Sequence, residues 1–294
     1  MADERSQVER WVSFATGIVA PVTVLSALLF YFGYVSSRSQ YEYFGIEVDT
    51  IGLSTRDYVM RSPQPLLVPL LVLTLVAAGG LMLHIAVRAR ITADPDTPQA
   101  KRLMRAVGRT RLAGAVLLAV GVLALLGYAV IGDLPYYGLL TPLLIGLGAA
   151  ILGYTLGLAR LIRPPAGAVM PHRLVAVLLA VVTTTCAFWA TATMAQYSGR
   201  GVAKYDARHP DRFPVVILDT KERLYLRSPG VEESALPAAA GQTFHYRYRR
   251  LRLLVVGQSR MFLVPETWNA SNTTVVVPLD GSVRVQFQFQ NDPP

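Results

Sequence analysis

Arg88–Arg111 reads RARITADPDTPQAKRLMRAVGRTR, and the interpretation of every other segment turns on it. It carries seven Lys or Arg against two Asp, and a long apolar run flanks it on each side. A basic loop between two membrane-length apolar runs marks the cytoplasmic side, because short positively charged loops are retained there. Counting outward from this loop orients the rest of the chain.

Five uncharged runs result: Trp11–Val35, Leu66–Val87, Leu112–Ile131, Leu139–Leu158 and Leu174–Gln196. At about 1.5 Å per residue, each is long enough to cross a hydrocarbon core of about 30 Å. The expected architecture is an α-helical polytopic membrane domain of five spans, residues 11–196, with a cytoplasmic N-terminus at 1–10. Its outer loop is 36–65, its basic cytoplasmic loop is 88–111, and GDLPYYG at Gly132–Gly138 is a short outer turn. Five spans starting inside place the C-terminus outside. Charged residues make up 16% of the chain, where soluble domains carry roughly a quarter. The net charge of +9 sits largely in the inner loops, so it does not call for nucleic acid. Three Lys beside twenty-five Arg, with abundant Ala, Leu and Val, suit a GC-rich bacterial genome and hence a bacterial plasma membrane.

The composition changes after Tyr197. Residues 197–214 form a polar, proline-containing linker, and the apolar period then becomes two. Strands are predicted over Val215–Leu218, Arg223–Arg227, Phe244–Val256, Arg260–Val264, Thr274–Leu279 and Ser282–Gln290. Asp280-Gly281 signals a hairpin between the last two. The expectation for 215–290 is an extracytoplasmic all-β domain, a small antiparallel sandwich or open barrel. The single Cys186 cannot form an internal disulfide, so this domain folds without one.

Two stretches outside the membrane are candidates for partner binding. In the outer loop, Tyr41, Tyr43 and Phe44 precede Ser54-Thr55-Arg56-Asp57, a capping-box start for a short surface helix over Thr55–Arg61 that carries Arg56 and Tyr58. In the β-domain, Phe244, Tyr246 and Tyr248 share one strand face. The apolar parity then slips to Leu251 and Leu253, which requires a bulge near Arg249-Arg250. The opposite face gathers His245, Arg247 and Arg249, with Arg250 and Arg252 beyond the slip. Arg suits phosphate and carboxylate groups, so the row could take an anionic polymer or an acidic protein. The plainer alternative is a strand face paired with the domain's own Asp and Glu.

Inside the membrane, Ala149, Gly153 and Gly157 form one smooth helix face for packing within the chain or for self-association. His84 is the ionisable residue of its span, one turn from Arg88, where it caps or snorkels unless it is functional. A basic amphipathic helix from Pro98 to Arg109 would lay Leu103, Met104 and Val107 against lipid, so membrane lipids are expected partners. The threonines of the fifth span, Thr183–Thr185, Thr191 and Thr193, can bond back to their own helix.

The motifs of catalysis are missing: GxSxG, HExxH, a P-loop, GxGxxG and CxxC do not occur. Asp206, His209 and Asp211 lie close in sequence, but nothing downstream completes a metal set. No catalytic residue, metal or cofactor is expected. Asn269-Ala270-Ser271 and Asn272-Thr273-Thr274 match glycosylation acceptors, which is incidental for a bacterial chain.

The stretch YEYFGIEVDTIGLSTRDYVMRS at Tyr41–Ser62 resembles a segment of uncharacterised multi-span membrane proteins of high-GC Gram-positive bacteria. The likeness extends loosely to the C-terminal strands, including Arg223-Leu224 and the Tyr-Arg-Tyr-Arg repeat. It implies the architecture and no activity. The leading expectation is therefore a non-enzymatic membrane protein presenting an extracytoplasmic binding module: a receptor, sensor or accessory subunit. A component of a small channel or transporter and a docking site for a toxin or phage are the alternatives.

Overall fold

The computed structural model describes residues 2–90, 98–162, 170–237, 239–269 and 271–288. Along them run α1 (Ala2–Glu42), α2 (Val48–Ile51), α3 (Thr55–Arg61), α4 (Pro63–Ala89), α5 (Pro98–Leu126), α6 (Tyr128–Ile131), α7 (Tyr137–Ile162) and α8 (Met170–Arg208). The strands β1 (Val215–Thr220), β2 (Glu232–Ala235), β3 (Tyr246–Val256), β4 (Arg260–Pro265), β5 (Val275–Pro278) and β6 (Val283–Phe287) follow. Five helical segments are long and apolar enough to cross a membrane: Val19–Glu42, Pro63–Ala89, Lys101–Leu126, Tyr137–Ile162 and Arg173–Arg208. The chain divides into two compact units, Leu66–Met194 and the combination of Met1–Pro65 with Ala195–Pro294.

The helices overrun the expected boundaries wherever no breaker stops them. α1 continues past Val35 to Glu42, ending just before Gly45, whose φ is +74°. The fifth span does not give way to a linker at 197; α8 runs to Arg208, and a 3-10 turn follows at Pro210–Arg212. The basic segment and the third span, expected as separate helices, are one helix from Pro98 to Leu126. It breaks at Gly127, so Tyr128–Ile131 form a separate turn. Val107, expected against lipid, is buried. Residues 91–97 of the basic loop and 163–169 of the second inner loop lie outside the described residues.

Within the helical unit, α5 and α7 pack backbone to backbone. A Cβ added to Gly148 would stand 2.5 Å from Leu118 N, and one on Gly121 would stand 2.6 Å from Ile145 Cγ1. Close approach through small residues is how helices associate without a hydrophobic driving force. Tyr137 Oη ties the start of α7 to the end of α5 by donating to Ala124 O at 2.9 Å. Of the smooth face expected from sequence, Ala149 is fully buried, and a Cβ added to Gly153 would stand 3.7 Å from Leu179 Cβ. Gly157 faces open space. The Thr183, Thr184 and Thr191 hydroxyls bond carbonyls four residues back.

The other unit is built on an antiparallel sheet ordered β5-β4-β3-β1-β6, with β2 beside the first half of β3. This corrects the expected hairpin: Asp280-Gly281 is a turn, but β5 and β6 do not pair. Asp280 Oδ1 accepts from Ser282 N at 2.8 Å, an Asx turn that satisfies the same sequence signal. The five steps from Pro278 to Val283 span at most about 19 Å. In a flat sheet those residues would be four strand spacings apart and offset by nearly the length of β3. The sheet must therefore curl into an open barrel with its seam between β5 and β6. A cavity of about 210 Å³ lined by Thr220, Val277 and Val283 marks that seam.

The expected strand over Arg223–Arg227 is irregular, with Tyr225 at φ +51°, and β2 at Glu232–Ala235 takes its place. All four β2 residues are exposed, so no apolar alternation betrayed it. β3 carries the bulge that the parity slip requires. Between Val216↔Leu251 and Leu218↔Tyr248 it holds one extra residue, and Arg250 adopts φ +61°.

Two cores meet at β4. Met261 and Leu263 point into the barrel with Val216, Leu218, Tyr248 and Leu251. Phe262 and Val264 point outward and are equally buried, against Tyr41 at the end of α1 and Phe44, Ile46, Val48, Ile51 and Tyr58 of the segment that follows it. That segment is therefore a wall of the same unit. α3 forms as expected, with its capping box made by Ser54 N to Asp57 Oδ2 at 2.8 Å and Asp57 N to Ser54 Oγ at 3.3 Å. It lies so close to α1 that a Cβ on Gly33 would overlap Tyr58 O.

Candidate functional site

The basic row on β3 is mostly bonded within the domain. Asp219 of β1 sits between Arg247 of β3 and Arg284 of β6, directly opposite both. Arg247 Nε and Nη2 reach its two oxygens at 2.8 and 3.0 Å, and Arg284 Nη2 reaches Oδ2 at 2.6 Å. The carboxylate is fully buried beneath the two guanidinium groups. Hydrogen bonding from Arg247, then from Arg284, holds its pKa below the ordinary carboxyl value, against the opposing effect of burial.

Beyond the bulge, Arg252 Nη2 binds Glu266 Oε1 at 2.6 Å, and Nη1 donates to Phe213 O at 3.1 Å. Arg250 bridges the gap between β2 and β4, with Nη1 to Glu232 at 3.2 Å and Nε to Glu266 at 3.1 Å. Glu266 is likewise held below its ordinary value, chiefly by Arg252. His245 Nδ1 lies 3.1 Å from Lys221 O. Arg249 is exposed and makes no ion pair among the described residues. The strand face is an internal stitch, and Arg249 alone of its arginines extends unpaired into solvent.

The candidates of the 36–65 loop divide in the same way. Tyr41, Phe44 and Tyr58 are 2%, 2% and 5% exposed, so they are core. Arg61 Nη1 donates to Tyr41 Oη at 2.5 Å. Arg56 is exposed on α3, and Tyr43 is partly exposed, edge-on to Phe44.

Tyr43 opens onto a groove of about 940 Å³ between the Glu42–Thr50 segment and the Trp268–Thr274 connection. Thr274 Oγ1 donates to Phe44 O at 2.7 Å, and the Trp268 ring meets Phe44 at 5.1 Å, so the two walls are fixed to each other. Asn272 is buried, donating to Pro229 O at 3.1 Å and accepting from Asn269 N at 2.6 Å. The paired asparagines thus act as turn formers that set the far wall; Ala270 lies outside the described residues. Two carboxylates stand at the near wall. Glu42 is paired with Arg38 at 2.7 Å, whereas Glu47 has no ion-pair partner among the described residues. An aromatic floor with an unpaired carboxylate at its edge can hold an apolar group that carries a cation.

Trp268 is the residue that sequence reasoning missed. The available signal was a lone Trp in the polar run Glu266–Thr274, an amphipathic aromatic with no apolar neighbours to pack against locally. Among the described residues no group of three His, Cys, Asp or Glu could hold a metal ion; Asp206 is instead 3.5 Å from Arg212. Searches against protein-family models, curated proteins and solved structures find no match to this chain.

Proposed function

We propose that this protein is a multi-pass membrane protein, N-terminus inside and C-terminus outside, whose barrel unit is an extracytoplasmic binding module for a protein partner. Five apolar helices and the basic segment at Arg88–Arg111 support the membrane placement. The groove between Glu47 and Trp268 carries the functional reading. Its charge disfavours the anionic partners expected for the arginine row and favours a basic protein segment. An anionic polymer would meet Glu42 and Glu47, while of the β3 arginines that could have received it all but Arg249 are occupied by Asp219, Glu232 and Glu266. A protein segment with a Lys or Arg beside an apolar side chain fits both the floor and the rim. Receptor, sensor and accessory subunit remain one class at this level, in which the bilayer unit anchors the module and the groove captures the partner.

The test is a photo-crosslinker placed at Asn269 on intact cells, followed by mass spectrometry of the captured species. The expected catch is one extracytoplasmic protein, crosslinked through a basic segment and lost in Glu47→Gln and Trp268→Ala. Capture that is unchanged in both variants, or that yields only glycan polymer, removes the groove from this role.

A further inference from the structure

A second concavity lies within the helical unit, between α4 and α7. It measures about 590 Å³ and is lined by Gly80, His84, Gly153, Tyr154, Gly157 and Leu161, among others. Its floor is nearly bare, since a Cβ at Gly80 or Gly157 would meet nothing within 4 Å. The His84 and Tyr154 rings stand edge to face at 6.0 Å. Two buried donors on this stretch of α7 have no acceptor: Tyr154 Oη and Arg160 Nη2. Buried polar groups are almost always paired, so two orphans within two turns of one helix point to an acceptor that the described residues do not supply. Helical spacing places Arg88 one turn beyond His84, and Arg160 one turn beyond Gly157. Both cations fall toward the same end of the groove.

We infer that this groove holds an anionic phospholipid, with an acyl chain along the glycine floor and its phosphate on Arg160 and Arg88. Tyr154 Oη donates to a headgroup or ester oxygen. The apolar floor suits a hydrocarbon chain, and the cationic end suits a phosphate at headgroup depth. Another helix could fill the glycine notch, but an aliphatic one would leave both donors without acceptors. A second copy of this chain docked there would also set arginine against arginine.

The inference rests on the membrane placement proposed above, so membrane extraction is scored on the same preparation as lipid binding. Full-length protein in detergent is titrated with phosphatidylglycerol and with phosphatidylcholine of matched chains, and retained lipid is read by native mass spectrometry. Wild-type protein should prefer phosphatidylglycerol by about tenfold, the scale of a charge-assisted bond. Arg88→Gln with Arg160→Gln should abolish the preference, and Gly157→Leu should expel both lipids. Tyr154→Phe, which removes a single oxygen, should lower phosphatidylglycerol retention even if the bulkier variant fails to fold. Equal retention of both lipids by membrane-extracted wild type overturns this inference alone, as does a preference that survives in the double Arg variant. Displacement by inorganic phosphate as readily as by lipid would assign the cations to a free anion and overturn it as well. Recovery of the full chain in the soluble fraction without detergent would instead sink the membrane placement.

Discussion

The two units handle the same apolar residue types in opposite ways. In the helical unit Leu123 is 67% exposed, and in the barrel unit Leu263 is fully buried. The helical unit shows its large aliphatic side chains outward and brings backbones together through Gly114, Gly121 and Gly148. Apart from the apolar stretch of α1, where Val22 and Leu25 are exposed too, the barrel unit hides its aliphatics in two cores that share β4, and holds its outer face with the Arg247–Asp219–Arg284 ladder. The difference fits the membrane placement proposed above. In lipid an exposed Leu costs nothing and close backbone contact supplies the attraction, whereas in water burial supplies it.

The contrast breaks first at the glycines. Gly148→Leu should split α5 from α7, with a loss above the about 1–3 kcal/mol usual for overpacking, because the clash is with Leu118 backbone. Loss of the folded unit, with faster exchange of α5 and α7 amides, is the readout; unchanged protection would show that the seam is not tight. The reverse substitution type tests the other unit. Phe262→Ala should cost about 3–5 kcal/mol in unfolding of the barrel unit, because Phe262 is 1% exposed. Leu123→Ala in the helical unit should stay within about 0.5 kcal/mol. Equal costs would mean that both units see the same solvent.

Acid should distinguish the units further. Asp219 and Glu266 are held below their ordinary values of 3.8 and 4.5, so the folded barrel unit binds fewer protons than the unfolded one. The stability they contribute is present above those values and is lost as pH falls below them, through the lower folded ones. Exchange protection of β1 and β3 should fall over that window. That of α5 and α7, which carry no Asp or Glu, should stay flat. The smallest effect belongs to the joint between the two walls of the groove. Thr274→Val removes one hydrogen bond to Phe44 O and should cost about 1 kcal/mol, with local loosening of the Trp268–Thr274 connection seen by exchange.

Much of this could be read from particular residues. The apolar runs located five helices, Ser54 and Asp57 announced α3, and the slip between Tyr248 and Leu251 located the bulge. What failed involved partners distant in sequence. The basic row looked free because Asp219 lies 28 residues before Arg247, and Glu266 lies 14 beyond Arg252. Tyr41 and Phe44 looked like a recognition surface because the strand that buries them begins at Arg260.

The sequence by itself determined the class: membrane-length helices followed by a period-two domain, since hydropathy and periodicity are local properties of the chain. The tertiary structure decided which charges are paired, which aromatics are core, and that β5 and β6 close a barrel without pairing. These depend on pairings between residues tens to hundreds of positions apart, and local sequence patterns carry no record of their register. The groove beside Trp268 is such a product, because its two walls come from opposite ends of the chain.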